Sequence, residues 1–415
     1  MEERIKNIAE MKYLYLFNNE SRAAQYGIGT YIRQMISCLK REDVYLLNIV
    51  NIDSADKELQ EEYNDGIRYI NIPAIHGIYR YSERYYKNIA FLLFQYIEEE
   101  AECIFHFNYI HHLLLAKRLK QRFRNSKIIV TIHYFNWCST LQGSISYFCS
   151  ILWKDVKERN SFEANIFKEW LRDKELLQSV DRIICLSEVT KKLLVEYYDI
   201  VDSRISLIYN GLQDEAQILS KEEIFLKKKQ MYFRSNEQII LFVGRLDVVK
   251  GIDFLLEAFR EVLNQISNVR LLIVGDGEYE EILKRCTGLW GKVTFTGKVS
   301  KSTLYEFYQI ADIGVMPSFH EQCSYVGIEM LMHGIPLIGT TAIGLGEMIL
   351  RELCIDLEEK DDMVIFPVDK LSTLMINMLV ASSKEKYALI ERQRYKERYS
   401  LDVMSESVLE CYENL

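Results

Sequence analysis

The chain alternates short apolar runs with longer stretches in which apolar residues recur every three or four positions. The first kind predicts strand and the second predicts helix. Strands are expected at YLYLF (13–17), VYLLNIV (44–50), CIFHF (103–107), KIIVTIH (127–133) and RIICLS (182–187). They are expected again at QIILFVG (238–244), VRLLIVG (269–275), VTFTG (293–297), IGVMPS (313–318) and IPLIGT (335–340). Several of these runs are apolar without alternation, the mark of strands covered by helices on both faces. Strand and helix in regular succession predict parallel α/β sheets, and the grammar restarts halfway along, so two such units are expected.

Between the halves, ISLIYNGLQDEAQ (205–217) reads as a last strand, an Asn-Gly turn and the start of a charged connector running to about Asn236. The expected organisation is an N-terminal domain over 1–208, a second domain over 209–390, and a C-terminal helix over 391–415 that packs back on the first. A length of 415 residues exceeds what one core serves, which agrees with two domains. Residues 137–179, with Trp137, Trp153 and Trp170 among charges, form a helical insertion. A cover for a cleft and a plain helical excursion are both open readings of it.

Composition narrows the function. With 49% hydrophobic and 27% charged residues the chain has real cores and no disordered character. The net charge is −9, yet residues 1–205 balance at 28 basic and 28 acidic, so the whole deficit lies in the second half. Nucleic acid is therefore disfavoured, and none is expected as a partner. An acidic half that binds an anion needs a focused cationic site. The nine cysteines are scattered without a CxxC, which predicts reduced, mostly buried thiols. The apolar run at Tyr13–Phe17 is too short for a secretory signal or a membrane span, so a cytoplasmic location is expected. The basic stretch KRLKQRFRNSK (117–127) admits two readings: a solvated helix, or a peripheral contact with an anionic membrane at its inner face.

Candidate chemistry gathers at strand ends. The first strand leads to Gly27 and Gly29, expected just before an amphipathic helix, where backbone can approach a phosphate. The strand ILFVG ends in Gly244, Arg245 and, five residues on, Lys250, a forked donor and a point charge able to clamp a diphosphate. Gly275, Asp276 and Gly277 form a second strand-to-helix turn. Further on, Glu321 and Glu329 stand eight residues apart. If a helix starts near Cys323, Glu321 precedes it and can accept from sugar hydroxyls. Glu329 then lies about two turns inside and can accept from a ribose, while the amides of Ser324, Tyr325 and Val326 face phosphate. No DxD, HxxxH or CxxC spacing occurs, so no metal site and no cofactor are expected.

VGRLDVVKG, the VGDG turn, TFTGKVSKSTLYEFYQIADIGVMPS, and the E-x7-E segment with MHGIPLIGT resemble the family 4 glycosyltransferases in order and spacing over roughly 205–345. These are retaining enzymes of the GT-B type, with two Rossmann-like α/β/α domains facing across a central cleft. The resemblance implies a nucleotide-sugar donor, such as a UDP- or GDP-sugar, as substrate rather than cofactor. It implies a hexose-type transfer to a glycan, lipid-linked or peptide acceptor in polysaccharide biosynthesis. Arg245 and Lys250 would hold the diphosphate, Glu321 the transferred sugar and Glu329 the ribose. A strand-end histidine facing donor sugar and acceptor would be His133, which Tyr134 follows where the family usually has Asp. Cys323 and Ser324 stand where the family usually has Phe and Gly, which leaves the loop at the sugar open.

His106 also ends a strand and is a second candidate; His111 and His112 read as helix-start residues, and His320 neighbours Glu321. Two other functions share these features: a nucleotide-sugar epimerase or hydrolase of the same fold, and a non-catalytic nucleotide-sugar-binding subunit.

Overall fold

The computed structural model describes residues 11–19, 27–41, 44–75, 81–97, 102–360, 363–382 and 384–415. The chain divides into two compact units, one formed by 1–133, 155–210 and 401–415, the other by 134–154 and 211–400.

The first unit is built on eight strands: β1 (Lys12–Asn19), β2 (Tyr45–Ser54), β3 (Gln60–Asn64), β4 (Ile67–Pro73), β5 (Cys103–Phe107), β6 (Lys127–Ile132), β7 (Arg182–Cys185) and β8 (Ile205–Leu207). Their spatial order is β3-β4-β2-β1-β5-β6-β7-β8, parallel except for β3. Leu14, Tyr15, Leu16 and Phe17 of β1 are all buried, as are all five residues of β5, so the central strands carry no polar face. The order reverses between β1 and β5, which makes the carboxyl ends of those two strands the topological switch point of this sheet.

The second unit repeats the design with β9 (Gln238–Val243), β10 (Val269–Val274), β11 (Val293–Phe295), β12 (Ile313–Met316), β13 (Leu337–Thr340) and β14 (Cys354–Ile355) in the order β11-β10-β9-β12-β13-β14, all parallel. A small antiparallel hairpin, β15 (Glu358–Lys360) with β16 (Met363–Ile365), stands apart. The switch point here lies between β9 and β12. Every strand expected from the apolar runs is present. The β3–β4 hairpin and β14–β16 were not among them.

Two segments depart from a cut at 208/209. The insertion read over 137–179 splits: helices Asn136–Thr140 and Ile145–Trp153 belong to the second unit, whereas helix Ser161–Gln178 belongs to the first. The C-terminal stretch read as 391–415 also divides, at Ser400. Helix Lys384–Arg394 and a π-turn over Tyr395–Tyr399 stay with the second unit, and helix Leu401–Glu413 packs in the first against helix Gly27–Leu39. Tyr412 fixes that last helix from within, through a hydrogen bond to the buried Nδ1 of His106.

Candidate active site

The two loops at the switch point of the second unit are tied to each other. After β9 the chain runs through Gly244, Arg245, Leu246 and Asp247 into a single 3-10 turn, Val248–Lys250, and then helix Ile252–Gln265. Asp247 caps the turn by accepting from the Lys250 amide at 3.2 Å, and it pairs with the Arg245 guanidinium at 3.0 Å. Gly251 has φ +66°, and a Cβ there would stand 2.0 Å from the Pro317 carbonyl oxygen, so only glycine lets this turn lie against the loop after β12. The Phe319 amide completes the junction by donating to the Val249 carbonyl at 2.8 Å.

Across this junction the Lys250 ammonium donates to Oε1 of Glu321, which also accepts from the Ser318 hydroxyl at 3.2 Å. Both side chains are mostly buried, at 18% and 11% exposure, so the pair sits where water screens it weakly. The loop carrying Glu321 is braced from β13 as well. Thr340 Oγ1 donates to the Ser318 carbonyl at 2.5 Å, and the Glu321 amide donates to Ile343 at 3.1 Å. His320 is buried beside the pair, and burial pushes its pKa down to about 4, so it is neutral there.

The helix after this loop spans Tyr325–Met332 and begins two residues later than the sequence suggested. Ser324 is its N-cap: the hydroxyl accepts from the Gly327 amide at 3.4 Å. Glu329 consequently lies little more than one turn inside rather than two. Its Oε2 accepts from the buried Tyr308 hydroxyl at 2.8 Å, and burial raises its pKa to about 7. Tyr325 and Val326 open the helix, the latter with an amide that the helix itself does not use.

Gly275, Asp276 and Gly277 have a more local explanation than ligand approach. The Leu246 amide donates to Asp276 O at 3.0 Å and the Glu278 amide to Leu246 O at 2.7 Å, extending the β9–β10 pairing beyond the strands. A Cβ on Gly275 would stand 1.8 Å from Gly244 O, and one on Gly277 would stand 2.5 Å from Leu246 O. The glycines are needed where these two loops interlock, and the Gly275 amide is already given to Gly297 O at 3.0 Å.

In the first unit, Gly27 and Gly29 lie inside the first turn of helix Gly27–Leu39 rather than ahead of it. Gly29 is buried and Gly27 exposed, and residues 20–26 leading to them lie outside the described residues. His133 follows β6 and is half-buried. Its Nε2 is 3.1 Å from Asn108 Oδ1, and Asn108 in turn donates to Phe17 O at 3.0 Å, so Nε2 carries the proton and Nδ1 the lone pair. Tyr31 stands edge-on to this ring at 4.6 Å. Burial pushes the pKa of His133 down to about 3. Asn108, just after β5, is the partner of the candidate His133 that no local pattern in the sequence marks.

His106 is a correction. It is fully buried, with Nε2 on Thr131 Oγ1 at 2.7 Å and Nδ1 on Tyr412, so both ring nitrogens are spent on holding the last helix to the sheet. His112 is likewise buried. With His111 it forms a 3-10 turn ahead of helix Leu113–Arg122.

Comparison with known proteins bears on the family and the fold. The family model Glycosyltransferase Family 4 matches residues 26–216, and Glycosyl transferases group 1 matches residues 237–375. The chain is similar to the uncharacterized glycosyltransferase MJ1607 of Methanocaldococcus jannaschii, 32% identical over 41% of this chain and 45% of that protein. In three further relatives, too, the match spans less than half of the relative's length. Among solved structures, sucrose-phosphate synthase from Thermosynechococcus elongatus has the same fold, with a TM-score of 0.73 at 20% identity over 97% of this chain and 98% of that one. Anabaena HepE in complex with UDP and glucose gives a TM-score of 0.69 at 15% identity over 98% and 100%.

Proposed function

The chain belongs to glycosyltransferase family 4, with the GT-B fold, and from that premise we propose that it is a retaining, metal-independent transferase. It moves a hexose-type sugar from a UDP- or GDP-sugar to a glycan, lipid-linked or peptide acceptor in polysaccharide biosynthesis. The observation that carries this reading is the Lys250–Glu321 pair spanning the β9–β12 switch point. A cation and a carboxylate held together there match a donor's two halves: diphosphate for Lys250 with Arg245, sugar hydroxyls for Glu321.

In this reaction the acceptor oxygen forms a bond to the anomeric carbon on the face from which the nucleoside diphosphate departs. A donor phosphate oxygen takes the acceptor's proton. Lys250 and Arg245 stabilise the charge that grows on the leaving diphosphate, the kind of preorganised electrostatics that dominates such barriers. Cationic side chains supply that stabilisation without a divalent ion. Glu329 accepts from the ribose hydroxyls, and the neutral His133 lines the acceptor side.

The test is turnover of UDP- and GDP-hexoses with candidate acceptors, with and without a chelator, followed by NMR of the product's anomeric centre. Retained configuration and indifference to chelator support the proposal; an inverted product overturns it. Donor epimerised or hydrolysed whatever acceptor is present identifies the epimerase or hydrolase reading. Donor bound but never turned over identifies the non-catalytic subunit.

A peripheral contact with an anionic membrane is also part of this reading. A groove of about 320 Å³ between helices Glu83–Leu93 and Leu113–Arg122 is lined by Lys87, Arg118 and Arg122 together with Phe91 and Phe94. Phe91 is 58% exposed beside these cations, an arrangement suited to an acyl surface with anionic headgroups. Among the described residues no helix is long and apolar enough to cross a membrane. Salt-sensitive sedimentation with anionic liposomes supports the contact, and its absence removes it.

A further inference from the structure

We propose that Tyr308 is a positioning residue for donor binding: its hydroxyl holds one oxygen of Glu329 and turns the other toward the two ribose hydroxyls of the nucleotide. This rests on the reading of Glu329 as the ribose acceptor. Tyr308 lies on helix Lys301–Ile310 and is 1% exposed, so its hydroxyl has no water to turn to and its 2.8 Å bond to Oε2 is fixed by packing. Oε1 has no hydrogen-bond partner among the described residues, and Glu329 as a residue is half-buried rather than sealed off. A carboxylate that can rotate presents its oxygens at random. One held by a buried phenol presents the same oxygen every time, and the ordering cost is met in folding rather than on binding.

The surroundings are built to keep that phenol in place. The His333 ring lies 5.0 Å from Tyr308 and 4.9 Å from Tyr305. Nδ1 of His333 donates to the Glu329 backbone carbonyl at 2.8 Å, which closes the helix on the same side. The charged groups facing Glu329 are few. Lys301 approaches from the first turn of the Tyr308 helix, but it is paired with Glu215 of the connector at 2.6 Å and lies over the Tyr305 ring at 5.2 Å. Behind His333 stand Asp214 and Arg392, which pair with each other in a two-pronged contact. Lys301 favours the ionised form of Glu329 and Glu215 opposes it, and the Tyr308 hydroxyl is the largest influence in favour of that form.

Burial puts the Glu329 pKa at about 7, and the Tyr308 bond acts to lower it. Removing the hydroxyl therefore raises that pKa further, and the carboxylate needed for the ribose is lost at a higher pH than in the wild type. The experiment titrates UDP-glucose and GDP-mannose into the full chain from about pH 6 to about pH 9, for wild type, Tyr308→Phe, Tyr308→Gln and Glu329→Gln. Nucleotide sugars are used because their diphosphate, esterified at both ends, does not titrate in this range. Tyr308→Phe is expected to weaken binding about tenfold near pH 7, with the midpoint of the pH dependence moved upward, near wild-type affinity regained at the alkaline end, and kcat little changed at saturating donor. Tyr308→Gln retains a donor and is expected to keep the wild-type midpoint; it also serves if the phenylalanine variant fails to fold.

A merely structural Tyr308 would weaken binding equally at every pH or not at all. Either result, with Glu329→Gln still weakening binding, overturns the inference alone. Wild-type affinity in Glu329→Gln overturns the ribose reading beneath it.

Discussion

Lys250 and Glu321 are hydrogen-bonded to each other across 71 residues of sequence and across the reversal in strand order of the second sheet. Without donor, each partially neutralises the other in a site that water reaches poorly. Replacing Lys250 alone strands a carboxylate and costs about 3 kcal/mol of stability, besides removing the charge proposed for the leaving diphosphate. Lys250→Ala is expected to cut turnover about a hundredfold or more. The double change Lys250→Met with Glu321→Gln should restore the melting temperature that the single variant loses and leave turnover as low. Turnover near wild type in Lys250→Ala would remove Lys250 from the site.

Much of this frame is readable in the sequence because parallel strands buried on both faces have no choice but to be apolar throughout. β9, β10 and β12 were therefore visible, and so were the loops at their ends. β3 was not, because all five of its residues are exposed and its glutamates carry no alternation. The Asp65-Gly66 turn that follows it was the available sign of a hairpin, both residues having positive φ. The site divides in the same way. Arg245, Lys250, Glu321 and Glu329 stand at strand or helix ends that local pattern locates. Asn108 on His133, Tyr308 on Glu329 and Gly143 against Phe319 are contacts between distant stretches, and no local period records them.

Gly143 has φ +77°, and a Cβ there would stand 2.4 Å from the carbonyl oxygen of Phe319, two residues before Glu321. Gly143→Ala is expected to cost about 1–3 kcal/mol through strain and to displace the loop that carries Glu321. The check is a lowered melting temperature together with a raised donor KM. A variant with wild-type values for both would show that the loop does not lean on this glycine.

Ser324 caps the helix that carries Glu329. Ser324→Ala should destabilise by about 1 kcal/mol and weaken donor binding, whereas Ser324→Gly should cost only a few tenths, because a glycine cap leaves the helix start accessible. Thermal melts with nucleotide-sugar titrations read both. Equal effects of the two substitutions would mean that the hydroxyl does something other than cap.

The two strand-end histidines should separate cleanly. His106→Ala is expected to lower stability by about 2–4 kcal/mol, since it empties a buried site bonded on both nitrogens. His133→Ala should lower turnover about tenfold or more with a small change in melting temperature. Both rings have folded pKa values pushed by burial from 6.5 down to about 3, so below about pH 6.5 the unfolded chain binds protons that the fold refuses. Stability is therefore expected to fall as pH drops from 6.5 toward 3, and more shallowly in a His106→Phe variant. Melting temperatures across that range decide it.

Residues 134–154, although they come from the first half of the sequence, are part of the second unit. This has a consequence for shuffling halves among relatives. A hybrid joined near residue 209 would bring one parent's Gly143 and Ser146 against the other parent's equivalents of Phe319 and Glu359. Successful crossovers should therefore be those that carry this arm along with the second unit, so in recombination the exchangeable piece is a discontinuous one.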